Sequence, residues 1–269
     1  MSLYVDVHCH LTDPQYQSDL PAVIQRAEAA GVLHMVVNGL DPQSNRETLA
    51  LQARFSSVRA ALGIYPIHAV SRLLQNPLPF TFDVLEDPDA EIRFIAEMAA
   101  QNKITAIGEC GLDGHWLTPD TYPEQERVFR ALIHVAKTYD LPVIVHSRKL
   151  EQRTYEILKE ENPPRVVFHC WGGKVKTAVM ICEHHDWCFS IPANAERNGA
   201  FTKMLQLLPL HNILTETDSP YLAPTPKTRN EPQNVVKTIQ FFAKIRTLSD
   251  PIAKETVWRN YCRIFSFTH

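Results

Sequence analysis

Leu141-Pro142-Val143-Ile144-Val145-His146-Ser147-Arg148 is a short, continuous apolar and β-branched run that ends on an imidazole. A helix-period segment, Glu124 to Tyr139, precedes it. Val128, Phe129, Leu132, Ile133, Val135, Ala136 and Tyr139 make its apolar face. Working outward in both directions, the same alternation recurs. Strands are expected at Tyr4 to His8, His34 to Asn38, Val58 to Ile64, Ile104 to Glu109, Val143 to His146, Val166 to His169, Cys188 to Ile191 and Ile213 to Thr217. Helix-period segments lie between these eight runs. The runs are apolar throughout rather than alternating, as parallel strands covered on both faces require. Eight βα units without a break in composition predict one α/β domain over residues 1–269, a (β/α)₈ TIM barrel. A doubly wound open sheet is the alternative.

Helix signals agree. Asp41-Pro42 and Asp250-Pro251 each read as an N-cap followed by proline at the first helical position. Val235, Ile239, Phe242 and Ile245 give a late helix its apolar face. Met35 and Met98 read as core residues. Three long connections, Ser71 to Pro88, Gly114 to Pro123 and Ser219 to Pro232, each follow a strand. A barrel would place all three at its C-terminal mouth, where barrel active sites lie.

Composition narrows the class. The 269 residues are 45% hydrophobic and 21% charged, with a formal net charge of −3, so a protein basic all over is excluded. Contact with nucleic acid would need a local basic patch. The six cysteines form no C-x-x-C pair. No basic segment followed by an apolar stretch opens the chain, and no run of 18 apolar residues occurs. These features predict a reducing compartment, most simply the cytoplasm, and no membrane partner. Without a P-loop, a G-x-G-x-x-G or a G-x-S-x-G, neither a nucleotide cofactor nor a serine nucleophile is expected.

The chemistry gathers at the strand ends, which read His8-Cys9-His10, Glu109, His146, His169 and Asp218. His8 and His10, two apart, face the same way. Four imidazoles and two carboxylates at one mouth form a mixed N/O ligand set of Zn, Mn or Co type. Six ligands exceed the three plus water of a catalytic zinc. They suit two ions about 3.5–4 Å apart that share a carboxylate and activate a water for hydrolysis.

The chain resembles the TatD-like DNases, metal-dependent barrels of the amidohydrolase superfamily. The resemblance is carried by Asp6-Val7-His8-Cys9-His10-Leu11, Ile107 to Asp113, Leu141 to Arg148, His169-Cys170-Trp171-Gly172-Gly173, and Glu216-Thr217-Asp218-Ser219-Pro220-Tyr221-Leu222. Arg229-Asn230-Glu231-Pro232 and Asn260 to Phe265 extend it to the end of the chain. It implies two divalent ions, of Zn, Mn or Mg identity. His8, His10 and Asp218 would hold the first, Glu109 would bridge, and His146 and His169 would complete the second. Asp218 and Glu109 would be catalytic, with Asp218 taking the proton from the metal-bound water. DNA is the implied substrate, and D-aminoacyl-tRNA, or another ester or amide, is the alternative.

The strand-three loop departs from the family's Gly-x-His-Pro-His. Here it reads Gly63-Ile64-Tyr65-Pro66-Ile67-His68, with Tyr65 and Ile67 in place of histidines. Gly114-His115-Trp116 and Trp171-Gly172 are also unusual. Substrate contacts are expected from Tyr65, His68, Arg148 and Arg229. Lys174, Lys176, Arg197 and Lys203 could steer phosphate, and Trp116, Trp171 and Tyr221 could stack on bases. Strand alternation turns Cys9, Cys110 and Cys170 toward the strand–helix layer as small hydrophobes. His134 is expected to be solvated, and His184, His185, His211 and His269 to be structural or exposed. A barrel that has lost catalysis and serves only as a binding module is disfavoured by the complete ligand set.

Overall fold

The computed structural model describes residues 2–74 and 78–267, so His269 and part of the first long loop lie outside the described residues. Eight strands pair in the order β1-β2-β3-β4-β5-β6-β7-β8, every pair parallel. They are β1 (Tyr4–Cys9), β2 (Val32–Asn38), β3 (Val58–Leu62), β4 (Ala106–Asp113), β5 (Val143–Arg148), β6 (Val166–His169), β7 (Cys188–Ile191) and β8 (Ile213–Thr215). The helices are α1 (Leu20–Ala29), α2 (Pro42–Arg54), α3 (Pro66–Val70), α4 (Pro88–Ala100), α5 (Tyr122–Thr138), α6 (Glu151–Glu161), α7 (Val175–His184), α8 (Gly199–Leu207), α9 (Val235–Arg246) and α10 (Asp250–Ile264). Every residue of β4, β6, β7 and β8 is buried, which is why these strands read as unbroken apolar runs. The TIM barrel is the fold, and the open sheet is excluded by its closure.

Closure is made past the end of β8, not within it. The Asp218 amide donates to the His8 carbonyl at 2.9 Å, and the His10 amide to the Ser219 carbonyl at 2.8 Å. Cys9 and Ser219 form the corresponding bridge. The strand expected to run to Thr217 therefore ends at Thr215, and Asp218 sits beyond it at φ +53°. β4 is the opposite case. It continues through the motif to Asp113, so Glu109 lies mid-strand, beside a register shift between Ile107 and Cys110.

The helix signals hold with two corrections. Asp41 forms a full capping box with Ser44. At α10 the cap position is Ser249, and Asp250 is the first helical residue, where its charge complements the helix N-terminus. Tyr139 lies past the last turn of α5 and is exposed, while the six residues before it on that face are buried. Met35 and Met98 are buried as expected, and all six cysteines are free. Cys9 and Cys110 pack in the core. Cys170 is the exception to alternation. β6 stops at His169, Cys170 takes a φ of +43°, and its side chain stays partly open at the core's edge. His134, His184 and His211 are exposed, and His185 is half-buried against Trp187.

Two glycines bring the strands close enough to seat β4. A Cβ on Gly63 would stand 2.4 Å from the Glu109 carbonyl oxygen. One on Gly111, at φ +147°, would stand 1.9 Å from that of His146. Gly111→Ala is expected to cost more than about 1 kcal/mol, seen as a melting temperature lower by at least roughly 2–4 °C. An unchanged melting temperature would mean that β4 and β5 can separate without penalty.

Candidate metal centre

β1 delivers two imidazoles to one point. His8 and His10 present their Nε2 atoms 3.1 Å apart, with the rings edge to face. Asp218 Oδ1 stands 3.7 Å from the first nitrogen and 3.5 Å from the second. From β4, Glu109 divides its carboxylate. Oε2 lies 3.4 Å from His8 Nε2 and 3.6 Å from His10 Nε2. Oε1 lies 2.9 Å from His146 Nδ1 and 3.3 Å from His169 Nε2. All six residues named from the sequence are thus brought together.

The spacing tests whether cations fit. Metal–ligand bonds of about 2.0–2.2 Å in a tetrahedron place neighbouring ligand atoms roughly 3.3–3.6 Å apart. The separations here run from 2.9 to 3.7 Å. His8, His10 and Glu109 form one group able to hold an ion, and Glu109, His146 and His169 another, with Glu109 in both. The residues fit a pair of divalent ions.

Three carboxylates that the sequence reading did not single out lie directly behind these ligands. Asp113 Oδ2 is 3.1 Å from His146 Nε2, and its Oδ1 accepts from the His115 and Trp116 amides at 2.7 and 2.8 Å. Glu216 Oε1 is 3.4 Å from His169 Nδ1, and a further group able to hold an ion joins Glu216 to His8 and His169. Asp6 accepts from Thr217 Oγ1 at 2.5 Å and from its amide at 2.9 Å. All three are fully buried.

Electrostatics follow from burial set against pairing. Burial opposes charge on Glu109, but His169, His8 and His146 outweigh it and hold the carboxylate well below its ordinary range. The same contest, won mainly by His10 and His169, lowers Asp218. His8, buried beside His169, falls to about 3 and stays neutral. His10, His146 and His169 are depressed by burial but raised more by their carboxylates. Burial lifts Asp6 to about 8 and raises Glu216.

The expected substrate residues separate. Tyr65 stands at the cluster, its hydroxyl 3.4 Å from His146 Nε2. Burial and the charges of Glu109 and Asp113 push its pKa up, so it stays a neutral phenol. Ile67 is buried in the core. His68 turns aside, 3.6 Å from Asp41 and 3.2 Å from the Asp83 carbonyl. Arg148 is exposed over the Trp116 ring and makes no ion pair among the described residues. Arg229 is held by Asp19, Glu231 and the Gln15 carbonyl and lies over Tyr16, a clasp between the last long loop and α1's approach. Trp171 is buried against Phe168 and Phe189. Tyr221 is 52% exposed with its ring 6.5 Å from that of His10, the one of the three aromatics that combines exposure with contact to the cluster.

Comparison with known proteins agrees with this geometry. The family described as TatD related DNase matches residues 5–266. The human protein named deoxyribonuclease TATDN3 is 31% identical over 265 residues, 97% of this chain and 94% of its own. The Escherichia coli K12 protein named 3'-5' ssDNA/RNA exonuclease TatD is 31% identical, with 90% of each chain covered. The crystal structure of the TatD homologue YJJV from Escherichia coli K12 shares the fold with a TM-score of 0.83 at 24% identity, covering 98% of each chain. Among the described residues no helix is long and apolar enough to cross a membrane.

The raised pKa values fix a sign for stability. His10, His146 and His169 stabilise the metal-free protein fully below their unfolded value of about 6.5, and that contribution is lost as pH rises through their higher folded values. Asp6, raised to about 8, acts in the same direction. Chelated protein should therefore melt at falling temperature as pH rises from about 6.5 to about 8. Adding Mn²⁺ or Zn²⁺ should release protons and reverse the fall, as calorimetry in buffers of different ionisation enthalpy would read. A melting temperature that climbs with pH in chelator would contradict the assignment of charge.

Proposed function

This chain belongs to the TatD related DNase family, and we propose that it is a divalent-metal-dependent phosphodiesterase acting on DNA. The observation that carries the reading is the division of Glu109, one oxygen toward His8 and His10 and the other toward His146 and His169. His8, His10 and Asp218 would hold one ion, His146 and His169 the other, with Glu109 offering an oxygen to each. Two ions of Zn, Mn or Mg type, when bound, neutralise the phosphate and make water a nucleophile at neutral pH.

The residues divide the remaining work. Asp218 accepts the proton of the attacking water. Its side chain, 15% exposed, is the most open of the six toward the mouth, and it is ionised. Tyr65 donates a hydrogen bond to the phosphate or leaving oxygen while keeping its proton. Arg148 offers an exposed cation to the phosphate backbone, and Tyr221 a ring face for stacking with a terminal base. Arg229 and Trp171 serve the fold. One observation favours a second reading. With Tyr65 and Ile67 in the strand-three loop and its His68 turned toward Asp41 and the Asp83 carbonyl, no histidine of that loop faces the centre, which suits an ester or a D-aminoacyl-tRNA, whose leaving oxygen needs less help.

End-labelled single-stranded DNA, esters and D-aminoacyl-tRNA, each with Mn²⁺, Mg²⁺ or Zn²⁺, separate the two readings. Cleavage of DNA alone supports the first, and deacylation without DNA cleavage overturns it. Asp218→Asn keeps shape and one coordinating oxygen, so turnover should fall about 10²–10⁴-fold while metal is largely retained. Near-wild-type turnover would place the base elsewhere. Tyr65→His should raise DNA turnover at unchanged metal content. A decrease would mean that the phenol is matched to another substrate.

A further inference from the structure

The two halves of the centre are backed differently. The nitrogens of His146 and His169 that point away from Glu109 each meet a fully buried carboxylate, Asp113 Oδ2 at 3.1 Å and Glu216 Oε1 at 3.4 Å. On the other half, His10 Nδ1 meets only the neutral Asn38 carbonyl at 3.2 Å. His8 Nδ1 is buried with no hydrogen-bond partner, and His169 Nδ1 has the Glu216 carboxyl beside it at ion-pair distance without a hydrogen bond, so Asp113–His146 is, among the described residues, the one hydrogen-bonded carboxyl–imidazole pair behind the ligands. Glu216 also reaches within 4.8 Å of a His8 nitrogen, but its closest ring is that of His169.

Both carboxylates are themselves held. Asp113 Oδ1 is fixed by the His115 and Trp116 amides, and its own backbone is clamped by Gln125 from α5. Glu216 receives the Cys170 amide at 3.0 Å and the Ser190 hydroxyl. A carboxylate accepts hydrogen bonds and cannot donate them. Asp113 therefore keeps a proton on the far nitrogen of His146, so that when the ring carries a single proton the near nitrogen has a lone pair aimed at the Glu109 Oε1 side, and the Glu216 carboxyl stands behind His169 in the same position. They also bring two buried carboxyl groups to that half.

We propose that Asp113 and Glu216 are positioning residues that preset His146 and His169 as ligands and make the Glu109–His146–His169 half the tighter cation site, leaving the His8–His10–Asp218 half to exchange. This rests on the two-ion reading of the centre but not on the identity of the substrate. Partners of this kind behind metal-bound histidines are worth about 10–100-fold in metal affinity.

Asp113→Asn is the sharper variant. The introduced amide can still accept from the His115 and Trp116 amides, so the loop is kept. Its NH₂ group would face His146 Nε2, forcing the ring's proton onto Nδ1, where it blocks the ligand position. Glu216→Gln removes the carboxyl behind His169.

Mn²⁺ titration followed by electron paramagnetic resonance and calorimetry should find two classes of site in the wild type. Asp113→Asn and Glu216→Gln should each weaken the tighter class about 10–100-fold, while Asp218→Asn should affect the weaker class. In chelator, at a pH high enough to leave the His146 ring a single proton, long-range ¹H–¹⁵N correlation should show that proton moving from Nε2 to Nδ1 in Asp113→Asn, a readout that needs neither metal nor substrate. Two ions bound with unchanged affinities in both variants, or an unmoved tautomer, would overturn the proposal and leave the hydrolase reading intact. No metal bound by folded wild type would instead overturn the two-ion reading itself.

Discussion

A carboxylate only 2% exposed, Glu109, sits at the point where four imidazoles converge, and the rest of the structure answers to it. Burying an ionised carboxylate without compensation is prohibitive. In the metal-free protein the compensation comes from the surrounding imidazoles, whose protonation Glu109 favours, and a bound cation would bring positive charge to the same atoms. The protein is therefore built around a site that must be filled by one positive charge or another. The close approach of β4 to its neighbours at Gly63 and Gly111 follows, because a carboxylate shared between two ligand sets has little freedom of position.

The seam that closes the barrel belongs to the same arrangement. The Asp218 amide bonds the His8 carbonyl and the His10 amide the Ser219 carbonyl, so the bonds that join the first strand to the last also fix three of the residues proposed to hold one ion. Asp6 and Thr217 lock the layer just below. The ligands are carried by strands or by their immediate extensions, whereas the residues offered to substrate stand on loops. That division lets the strand-three loop differ from the family pattern without disturbing His8, Glu109 or His146.

Most of the fold was legible because burial on both faces writes itself into sequence as unbroken apolar runs. The six proposed ligands were legible because they fall at or just beyond the ends of the apolar runs as the sequence shows them. The residues behind them were not, although one signal was available. Period two, which pairs His8 with His10, also carries from Glu109 through Gly111 to Asp113. Applied to strand four it points at one backing carboxylate, whereas Glu216 lies past the end of β8 at Thr215 and has no such signal. It fails at Cys170 and Asp218, where left-handed backbone breaks the alternation, and no propensity of cysteine or aspartate announces that. Burial likewise decided between aromatics that the sequence treats alike: Trp171 supports the core, while Tyr221 stays open beside His10.

The backing carboxylates also bear on why the centre is divided at all. Two identical ion sites sharing one carboxylate would compete for it equally, and neither would be better placed to be held or to exchange. A carboxylate behind each of His146 and His169, against a neutral carbonyl behind His10, breaks that symmetry. On the proposed two-ion reading, the half nearer Tyr65 would be the fixed electrostatic anchor. The half nearer Asp218 and the open ring of Tyr221 would keep the weaker grip and the better access to solvent. The proposed proton acceptor would then sit on the more open side, and the phenol beside the anchored charge.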